Sequence, residues 1–327
     1  MDACYSIRDI RCSDPFVLAD EKTKTYYIYA RYFRCGDIFT GEEPCFYAIA
    51  SHDLIHWTAP QKVFERGDFW ADLDYWAPEC HIWHGKYYLF STFRAEGTYR
   101  HCQALVADNP LGPLQPVGAG PVTPEGWQCL DGTLYVDRKG KPWMVFCHEW
   151  LQVFDGQVAA IPLSDDLSEA VGDPIILFRG SSAPWRASIS HNDHSDCNVT
   201  DGPFLHRLSD GTLIMLWSSY CKHGYATGIA KSLSGEIRGP WIQESEPLYA
   251  MDGAHSMLFR SFSGQLVMAL HCPNINSEKR ILLFTMEERD GTLHILNELT
   301  GNWYNHAGGQ AKRYLFKTPC KEPCQGV

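Results

Sequence analysis

Residues 198–217 read NVTDGPFLHRLSDGTLIMLW, and this stretch carries the pattern on which the fold assignment depends. It has an acidic residue at the start of a short strand, a turn at 209–211 and an apolar returning strand. Four other segments repeat the order of acid, strand, turn and strand: 14–29, 78–90, 130–146 and 252–270. Radial repetition of one such unit is typical of β-propellers. With about four strands per copy, we predict an all-β protein with the fold of a five-bladed β-propeller.

Length and charge limit the domain organisation and the partners. The chain has 327 residues and the copies account for nearly all of them, so we predict a single propeller domain over residues 1–327. The net charge of −11 argues against nucleic acid as a partner, because phosphate binding needs clustered lysine and arginine. The sequence has no apolar run of about eighteen residues, so we expect no membrane partner. The oligomeric state is left open.

The beginning of the chain and its cysteines bear on the compartment. The first residues contain neither a basic segment nor an apolar segment of the kind found in secretory signals. The 13 cysteines are scattered, and several lie in apolar strand contexts that are typical of reduced core residues. We therefore expect a cytoplasmic protein.

Acidic residues recur at the start of the copies, where a propeller has its central channel. The first strand of each blade lines that channel, so residues at equivalent positions converge on one small space. The acids at or near this position are Asp14, Glu79, Asp131, Asp201 and Asp252. A single Asp-Gly or Asp-Pro step is equally typical of a turn, and Asp252 is the most turn-like of the five. Three or more converging acids instead indicate a functional site, because carboxylates brought together without cations repel one another.

A histidine takes the place of the acid in the last copy. Asp131 precedes Gly140 of its turn by nine residues, and His255 precedes Gly264 by nine. At the channel His255 could bind a metal ion or a sugar hydroxyl, although a histidine satisfied by a backbone carbonyl fits the same position.

Paired carboxylates in a pocket walled by aromatic rings are suited to the hydrolysis of glycosidic bonds, which needs a proton donor and a base or nucleophile. Near the blade starts and in the loops, we identify four candidate substrate-binding residues: Trp76, Glu79, Glu149 and Trp185. The tryptophans could stack on sugar faces, and each could equally belong to the packing between blades.

Four short motifs together resemble glycoside hydrolase family 43: SDPF at 13–16, YWAPE at 75–79, LDG at 130–132 and TDGPF at 200–204. The resemblance covers all five copies. It implies a five-bladed propeller that cleaves α-L-arabinofuranosides, β-xylosides or related linkages with inversion. By motif, it implies Asp14 as general base, Asp131 as the acid that tunes a pKa and orients, and Asp201 as general acid. It also suggests a structural calcium ion on His255 in the channel, while no cofactor is expected to be required.

The chain departs from the family pattern at Asp201, where relatives usually have glutamate before Gly-Pro. An aspartate is one methylene shorter, so the proton donor could instead be Glu149 or Glu79. The Asp-Gly-Pro spelling resembles a branch of the family associated with arabinofuranosidase or galactofuranosidase activity.

We expect an exo-acting enzyme that removes terminal furanose or pentose units from oligosaccharides, most simply an α-L-arabinofuranosidase. The alternatives are a β-D-galactofuranosidase and a β-xylosidase, whereas an endo-acting arabinanase would need an open groove. An alternative of another class is a carbohydrate-binding propeller that has lost activity, which the change from glutamate to aspartate favours.

Overall fold

Strands dominate the protein, for which we have a computed structural model that describes residues 4–41, 44–275 and 278–301. The domain prediction covers residues 1–327, and the remaining positions lie outside the described residues. Within the described ranges there are 27 strands, one short α-helix and two 3₁₀ turns, at Ile7–Asp9 and Gly180–Ser182. None of the helices in these ranges is long and apolar enough to cross a bilayer.

The N-terminal part supplies one complete four-stranded antiparallel sheet, of order β3-β4-β7-β9. Its other strands pair elsewhere: β1 with β8, and β2, β5 and β6 with the last sheet. The strands are β1 (Cys4–Ser6), β2 (Ile10–Arg11), β3 (Phe16–Asp20), β4 (Thr25–Ala30), β5 (Arg34–Cys35), β6 (Ile38–Phe39), β7 (Cys45–Ser51), β8 (His56–Thr58) and β9 (Gln61–Glu65).

Two further four-stranded antiparallel sheets follow, each with its strands in sequence order. The second sheet contains β10 (Leu73–Trp83), β11 (Lys86–Arg94), β12 (His101–Ala107) and β13 (Gln115–Pro116). The third contains β14 (Cys129–Val136), β15 (Pro142–His148), β16 (Gln157–Pro162) and β17 (Ile175–Arg179), with the helix α1 (Trp150–Val153) between β15 and β16. A separate hairpin of β18 (Ile189–His191) and β19 (His194–Cys197) comes next.

The C-terminal half of the described chain forms the fourth sheet and a larger last sheet. The fourth sheet contains β20 (Asp201–Arg207), β21 (Leu213–Cys221), β22 (Gly224–Ser232) and β23 (Trp241–Gln243). The last sheet contains β24 (Ala254–Arg260), β25 (Leu266–Cys272), β26 (Arg280–Arg289) and β27 (Thr292–Glu298). It has seven strands, because β2, β5 and β6 from the N-terminal part extend it beyond β26.

The first strands of the sheets form a closed ring, in which β3 contacts β10, β10 contacts β14, β14 contacts β20, β20 contacts β24, and β24 contacts β3. The predicted all-β propeller is therefore confirmed. Five equivalent four-stranded blades are not observed: four sheets have four strands, whereas the fifth copy belongs to the seven-stranded sheet. The N-terminal strand β2 pairs with β26 at Arg11 and Arg280, so the two ends of the ring are joined by backbone hydrogen bonds.

The core lies between neighbouring sheets. The second strands of the sheets are buried on both faces, as in β4, β15 and β25, in which every residue is buried. Their continuous apolar runs fit this position, because a strand covered on both sides cannot alternate between apolar and polar residues. The propeller thus holds the first strands rigidly around the channel.

Candidate active site

A bulge at the start of each copy determines which side chains reach the channel. At this position each copy has a residue with a positive φ: Asp14 (48°), Ala77 (47°), Asp131 (56°), Gly202 (49°) and His255 (56°). In the second to fifth copies, the pairing register shifts at this residue. Aspartate and histidine tolerate this conformation better than most residues, and such bulges are common beside active sites. Asp14, Asp131 and His255 are therefore equivalent, which confirms the register deduced for His255.

The predicted catalytic acids meet in one pocket of about 640 Å³. Asp14, Asp131, Asp201 and His255 all line it, although they come from four different copies of the repeat. Their convergence, expected from the ring alone, is confirmed, and their individual catalytic roles stay predictions.

Asp14 lies beside two histidines, of which His255 has a raised pKa and His271 a lowered one. Its Oδ1 lies 3.4 Å from Nδ1 of His255 and 3.2 Å from Nδ1 of His271. Burial raises the pKa of Asp14, but the charge of His255, the hydrogen bond with His271 and the charge of Lys279 outweigh burial and hold the pKa far below its ordinary value. Asp14 is therefore ionised throughout the physiological range, as a general base must be.

Asp131 is held by two hydrogen bonds that fix both its backbone and its carboxylate. Its N–H donates to Oγ1 of Thr92 at 2.8 Å, and its Oδ2 accepts from the N–H of Gly202 at 2.8 Å. Gly202 can be only glycine here, because a Cβ would lie 2.9 Å from the ring of His255 at a φ of 49°. Burial raises the pKa of Asp131, and Asp201 and Asp14 add to the rise although His255 opposes it.

Asp201 lies one residue before the bulge of its copy and is paired with a tyrosine. Its Oδ2 accepts from the hydroxyl of Tyr225 at 2.5 Å. Burial raises the pKa of Asp201 above its ordinary value, against the opposing effects of the Tyr225 hydrogen bond and the charge of His255. A protonated fraction near neutral pH is what a general acid requires.

His255 links two of the acids. Its Nδ1 lies 3.4 Å from Asp14 and 3.8 Å from Oδ2 of Asp131. Burial lowers the pKa of His255, but the charges of Asp14, Asp131 and Glu79 more than compensate and raise it. The histidine therefore carries part of the positive charge that allows the carboxylates to lie together.

The predicted calcium ion can be tested against the donors that surround the channel. Nε2 of His255 is buried and has no hydrogen-bond partner, so one nitrogen is available to a cation. Among residues 4–41, 44–275 and 278–301, however, no three histidine, cysteine or acidic side chains are grouped as a metal site. The described side chains therefore supply a single ligand and not a set, and calcium binding at His255 stays a prediction.

Glu149 adds a fourth carboxyl group to the pocket. It lies at the N-terminal end of α1, is only 3% exposed, and has Oε2 3.4 Å from Nη1 of Arg100. Burial and the charges of Asp201 and Asp131 raise its pKa to about 8, although Arg100 lowers it. Glu149 is thus protonated near neutral pH and remains a candidate proton donor.

Of the two predicted tryptophans, only Trp76 lines the pocket, and the guanidinium of Arg100 lies 4.5 Å from the centre of its ring. The substrate-binding prediction for Trp185 is not supported by its position. Its ring packs against Trp217 at 5.2 Å in the core of the third and fourth sheets, and it leaves no space for a Cβ on Gly228.

Glu79 is also displaced from the predicted position. It lies two residues beyond the bulge at Ala77, is 4% exposed, and does not line the pocket. Its Oε2 makes no hydrogen bond and lies 3.4 Å from Nε2 of His81. Glu79 therefore lies behind the pocket wall, where its charge acts on His255, and its predicted roles in substrate binding and proton donation stay predictions.

Sequence reasoning missed several pocket residues because it considered the blade starts and loops, but not the second and third strands of each copy. Tyr225 lies on the third strand of its sheet, and His271 is near the end of the second strand of the last sheet. Arg34 lines the pocket from β5, and Lys279 lines it from the residue just before β26, the strand with which β2 pairs. The repeat contained no signal for them, since their approach to the channel depends on how neighbouring strands pair.

The raised pKa of Glu149 predicts a stability change with pH. The native protein keeps a proton on Glu149 that the unfolded chain releases above the ordinary glutamate pKa of 4.5, so the free energy of unfolding should fall between about pH 4.5 and 8. Glu149→Gln mimics the protonated form, and we expect the loss of melting temperature between pH 5 and pH 8 to be smaller than in the unmodified protein. Equal losses in the two proteins would contradict the shifted pKa.

A propeller with a buried cluster of carboxyl groups, some ionised and others protonated, in a pocket with aromatic walls defines the class of glycoside hydrolases. The sequence comparison agrees with the site. The family model "Glycosyl hydrolases family 43" matches residues 7–293. The chain therefore belongs to glycosyl hydrolase family 43, whose members are inverting glycoside hydrolases.

Individual relatives differ in the activities that their names give. An endo-arabinase from Bacteroides thetaiotaomicron VPI-5482 has a crystal structure similar to this chain, with a TM-score of 0.81 and 40% identity over 88% of this chain and 98% of that one. An extracellular exo-α-(1→5)-L-arabinofuranosidase from Cellvibrio japonicus is 21% identical, over 60% of each chain. A xylosidase/arabinosidase from Humicola insolens is 30% identical over 38% of this chain. The matched regions span only 60% and 40% of the last two proteins.

Proposed function

We propose that this protein is an exo-acting, inverting glycoside hydrolase that removes terminal α-L-arabinofuranosyl units from oligosaccharides. The proposal depends on one observation, namely that a carboxyl group with a lowered pKa, Asp14, shares a pocket with carboxyl groups of raised pKa, Asp201 and Glu149. Environments that push the pKa values of neighbouring acids apart are the arrangement expected of a general base and a general acid.

In the proposed reaction, Asp14 removes a proton from a water molecule that attacks the anomeric carbon from the face opposite the leaving group. Asp201 donates its proton to the glycosidic oxygen, and Tyr225 orients the Asp201 carboxyl through the 2.5 Å hydrogen bond. Asp131, fixed by Gly202, orients the donor and can hydrogen-bond the sugar, while the charge of Asp14 helps to raise the pKa of the donor. We propose the seven-stranded sheet as the fifth blade that completes the channel, since His255 on it contacts Asp14.

Two insertions beside the pocket support exo-action. The hairpin of β5 and β6 leaves the first sheet, joins the last one, and places Arg34 and Phe39 at the pocket wall. Trp150 on α1 lines the pocket from the third sheet, and the β18–β19 hairpin supports Trp150 through His191, whose ring lies 5.3 Å away. Walls of this kind suit the end of a sugar chain better than its middle.

An endo-acting arabinanase is the second candidate. It is favoured by the 40% identity to a protein named as an endo-arabinase, which extends over 98% of that chain. β-D-Galactofuranosidase and β-xylosidase activities are further alternatives for the same acids, because inverting hydrolysis places similar demands on all of them.

A substrate screen tests the proposal. We expect turnover of an aryl α-L-arabinofuranoside at least about tenfold faster, in kcat/KM, than of the aryl β-D-galactofuranoside or β-D-xyloside, because one pocket contact that fits only the preferred sugar is worth about that factor. Proton NMR of the first product should show the inverted anomer. Linear arabinan should release arabinose alone, whereas early release of longer oligosaccharides would identify the endo-acting enzyme. Turnover of none of these substrates by the folded protein would instead favour a binding function.

A further inference from the structure

Cations are concentrated at one part of the pocket wall, which we call the basic rim: Arg11, Arg31, Arg34 and Lys279. The rim is unexpected in a chain with a net charge of −11. Lys279 helps to hold the pKa of Asp14 low, but a pocket that binds only neutral sugars has no need of the three arginines, because hydroxyls are bound well by neutral donors and by the catalytic carboxylates.

The pairing of strands places like charges side by side next to this rim. Arg34 on β5 is directly opposite Arg11 on β2, and Arg11 is directly opposite Arg280 on β26. Like charges at directly opposed positions of neighbouring strands destabilise a sheet. Burial and the charge of Arg11 lower the pKa of Arg280, whereas the charges of Asp9 and Glu278 raise it. The repulsion between the three arginines is thus partly offset by nearby acids, and the sheet tolerates the row rather than being stabilised by it.

Two members of the rim form no close ion pair with a described side chain, although the charge of Lys279 acts on Asp14 from a greater distance. Among the described residues, no carboxylate lies within ion-pair distance of Arg34 or Lys279. Arg34 instead lies with its guanidinium 4.7 Å from the ring centre of Phe39, which also lines the pocket and is 47% exposed. An arginine that rests on an aromatic ring is held in place, and its planar fork of N–H donors can then pair with a planar anion.

We infer that the basic rim binds the carboxylate of a uronic acid residue in the oligosaccharide substrate. This inference rests on the proposed function, since the same pocket holds the cleaved bond. A guanidinium binds a carboxylate through two parallel N–H···O bonds, and Lys279 adds a compact positive charge. The ring of Phe39 offers an apolar surface for the sugar that carries the carboxylate.

The experiment compares two forms of one substrate. An arabinosylated oligosaccharide that contains one glucuronic acid residue is assayed beside the same oligosaccharide after reduction of its carboxyl group to the alcohol. We expect kcat/KM to be about tenfold higher for the acidic form at low salt, because reduction removes a charge-assisted hydrogen bond. Salt at about 0.5 M screens exposed charges strongly, so we expect it to reduce this ratio. A ratio of one in the unmodified protein would overturn the inference.

Variants assign the preference to the rim. Arg34→Gln and, separately, Lys279→Gln should each reduce the ratio of acidic to reduced substrate several-fold, with unchanged melting temperature. Arg289→Gln removes an exposed arginine that pairs with Glu287 away from the pocket and should leave the ratio unchanged. If neither Arg34→Gln nor Lys279→Gln alters the ratio, the basic rim does not bind the carboxylate of the substrate.

Two further measurements separate this inference from the proposed function and from another anion. Calorimetry of the unmodified protein with both oligosaccharides reports the charge preference even if no bond is cleaved, so loss of turnover contradicts only the proposed function. Sodium sulfate and sodium acetate are then compared as inhibitors at equal ionic strength. Strong inhibition by sulfate alone would assign the rim to a sulfated sugar and overturn the carboxylate assignment.

Discussion

Asp14→Asn is expected to lower kcat for an aryl α-L-arabinofuranoside by at least about 100-fold, the usual effect of removing a general base. Asparagine keeps the shape of the side chain beside His255 and His271 but cannot accept the proton of water. The lowered pKa of Asp14 has a second consequence: in the unmodified enzyme Asp14 stays ionised at mildly acidic pH and still serves as the base. The ordinary pKa of aspartate is about 3.9. The acidic limb of the kcat/KM profile should therefore lie well below that value.

Azide provides the sharpest control for this variant. It attacks the anomeric carbon without needing deprotonation, so added azide should restore part of the turnover of Asp14→Asn and give a glycosyl azide of inverted configuration. Asp137→Asn, in a surface turn where Asp137 accepts from the N–H groups of Lys139 and Lys141, serves as the matched variant and should keep full activity. A fully active Asp14→Asn protein would remove Asp14 from the role of base.

The second large effect concerns the proton donor. Asp201→Asn should reduce kcat for substrates with poor leaving groups by about 100-fold or more, and should change kcat little for a 2,4-dinitrophenyl glycoside, which leaves without protonation. If Glu149 only holds the sugar, Glu149→Gln should reduce kcat for both substrates by similar factors, smaller than the effect of Asp201→Asn. The raised pKa of Asp201 predicts that kcat/KM of the unmodified enzyme declines with rising pH only above the ordinary pKa of aspartate, when the donor loses its proton. If Glu149 is the donor, the decline should be centred at about pH 8.

The opposite pattern would move the role of donor. If Glu149→Gln shows the dependence on the leaving group and Asp201→Asn does not, Glu149 is the general acid. The structure gives this outcome a physical basis, since the pKa of Glu149 is raised to about 8 whereas the Tyr225 hydroxyl stabilises the ionised form of Asp201. Circular dichroism melting curves of each variant separate chemical effects from losses of folding.

Part of the site could be predicted because the repeat is local. The hairpin pattern around Asp201 recurs in each copy, and a ring of such copies brings their first residues together wherever they lie in the chain. Asp14, Asp131, Asp201 and His255 were found in this way, and all four line the pocket. Glu149 was named as a possible proton donor because Asp201 departs from the family pattern, and not from the repeat.

Two other candidates, Glu79 and Trp185, lie away from the pocket lining, for reasons that the local pattern does not contain. Glu79 lies beyond the bulge at Ala77, and so it does not line the pocket despite its place in a family-like motif. Trp185 precedes the fourth sheet and packs on Trp217 in the core, where its size fills the space above Gly228. Local periodicity predicts neither the position of a bulge within a strand nor how deeply an aromatic ring is buried.

By itself, the sequence determined that the protein is a β-propeller with acids and a histidine around its channel, because hairpin patterns and turn residues act over short distances. Only the tertiary structure decided that β2, β5 and β6 extend the last sheet and bring Arg11 and Arg34 to the pocket. It also decided which carboxyl groups are ionised. The physical reason is the same in both cases: strand partners, burial and the charges around a group are properties of distant segments brought together, and no local stretch contains them.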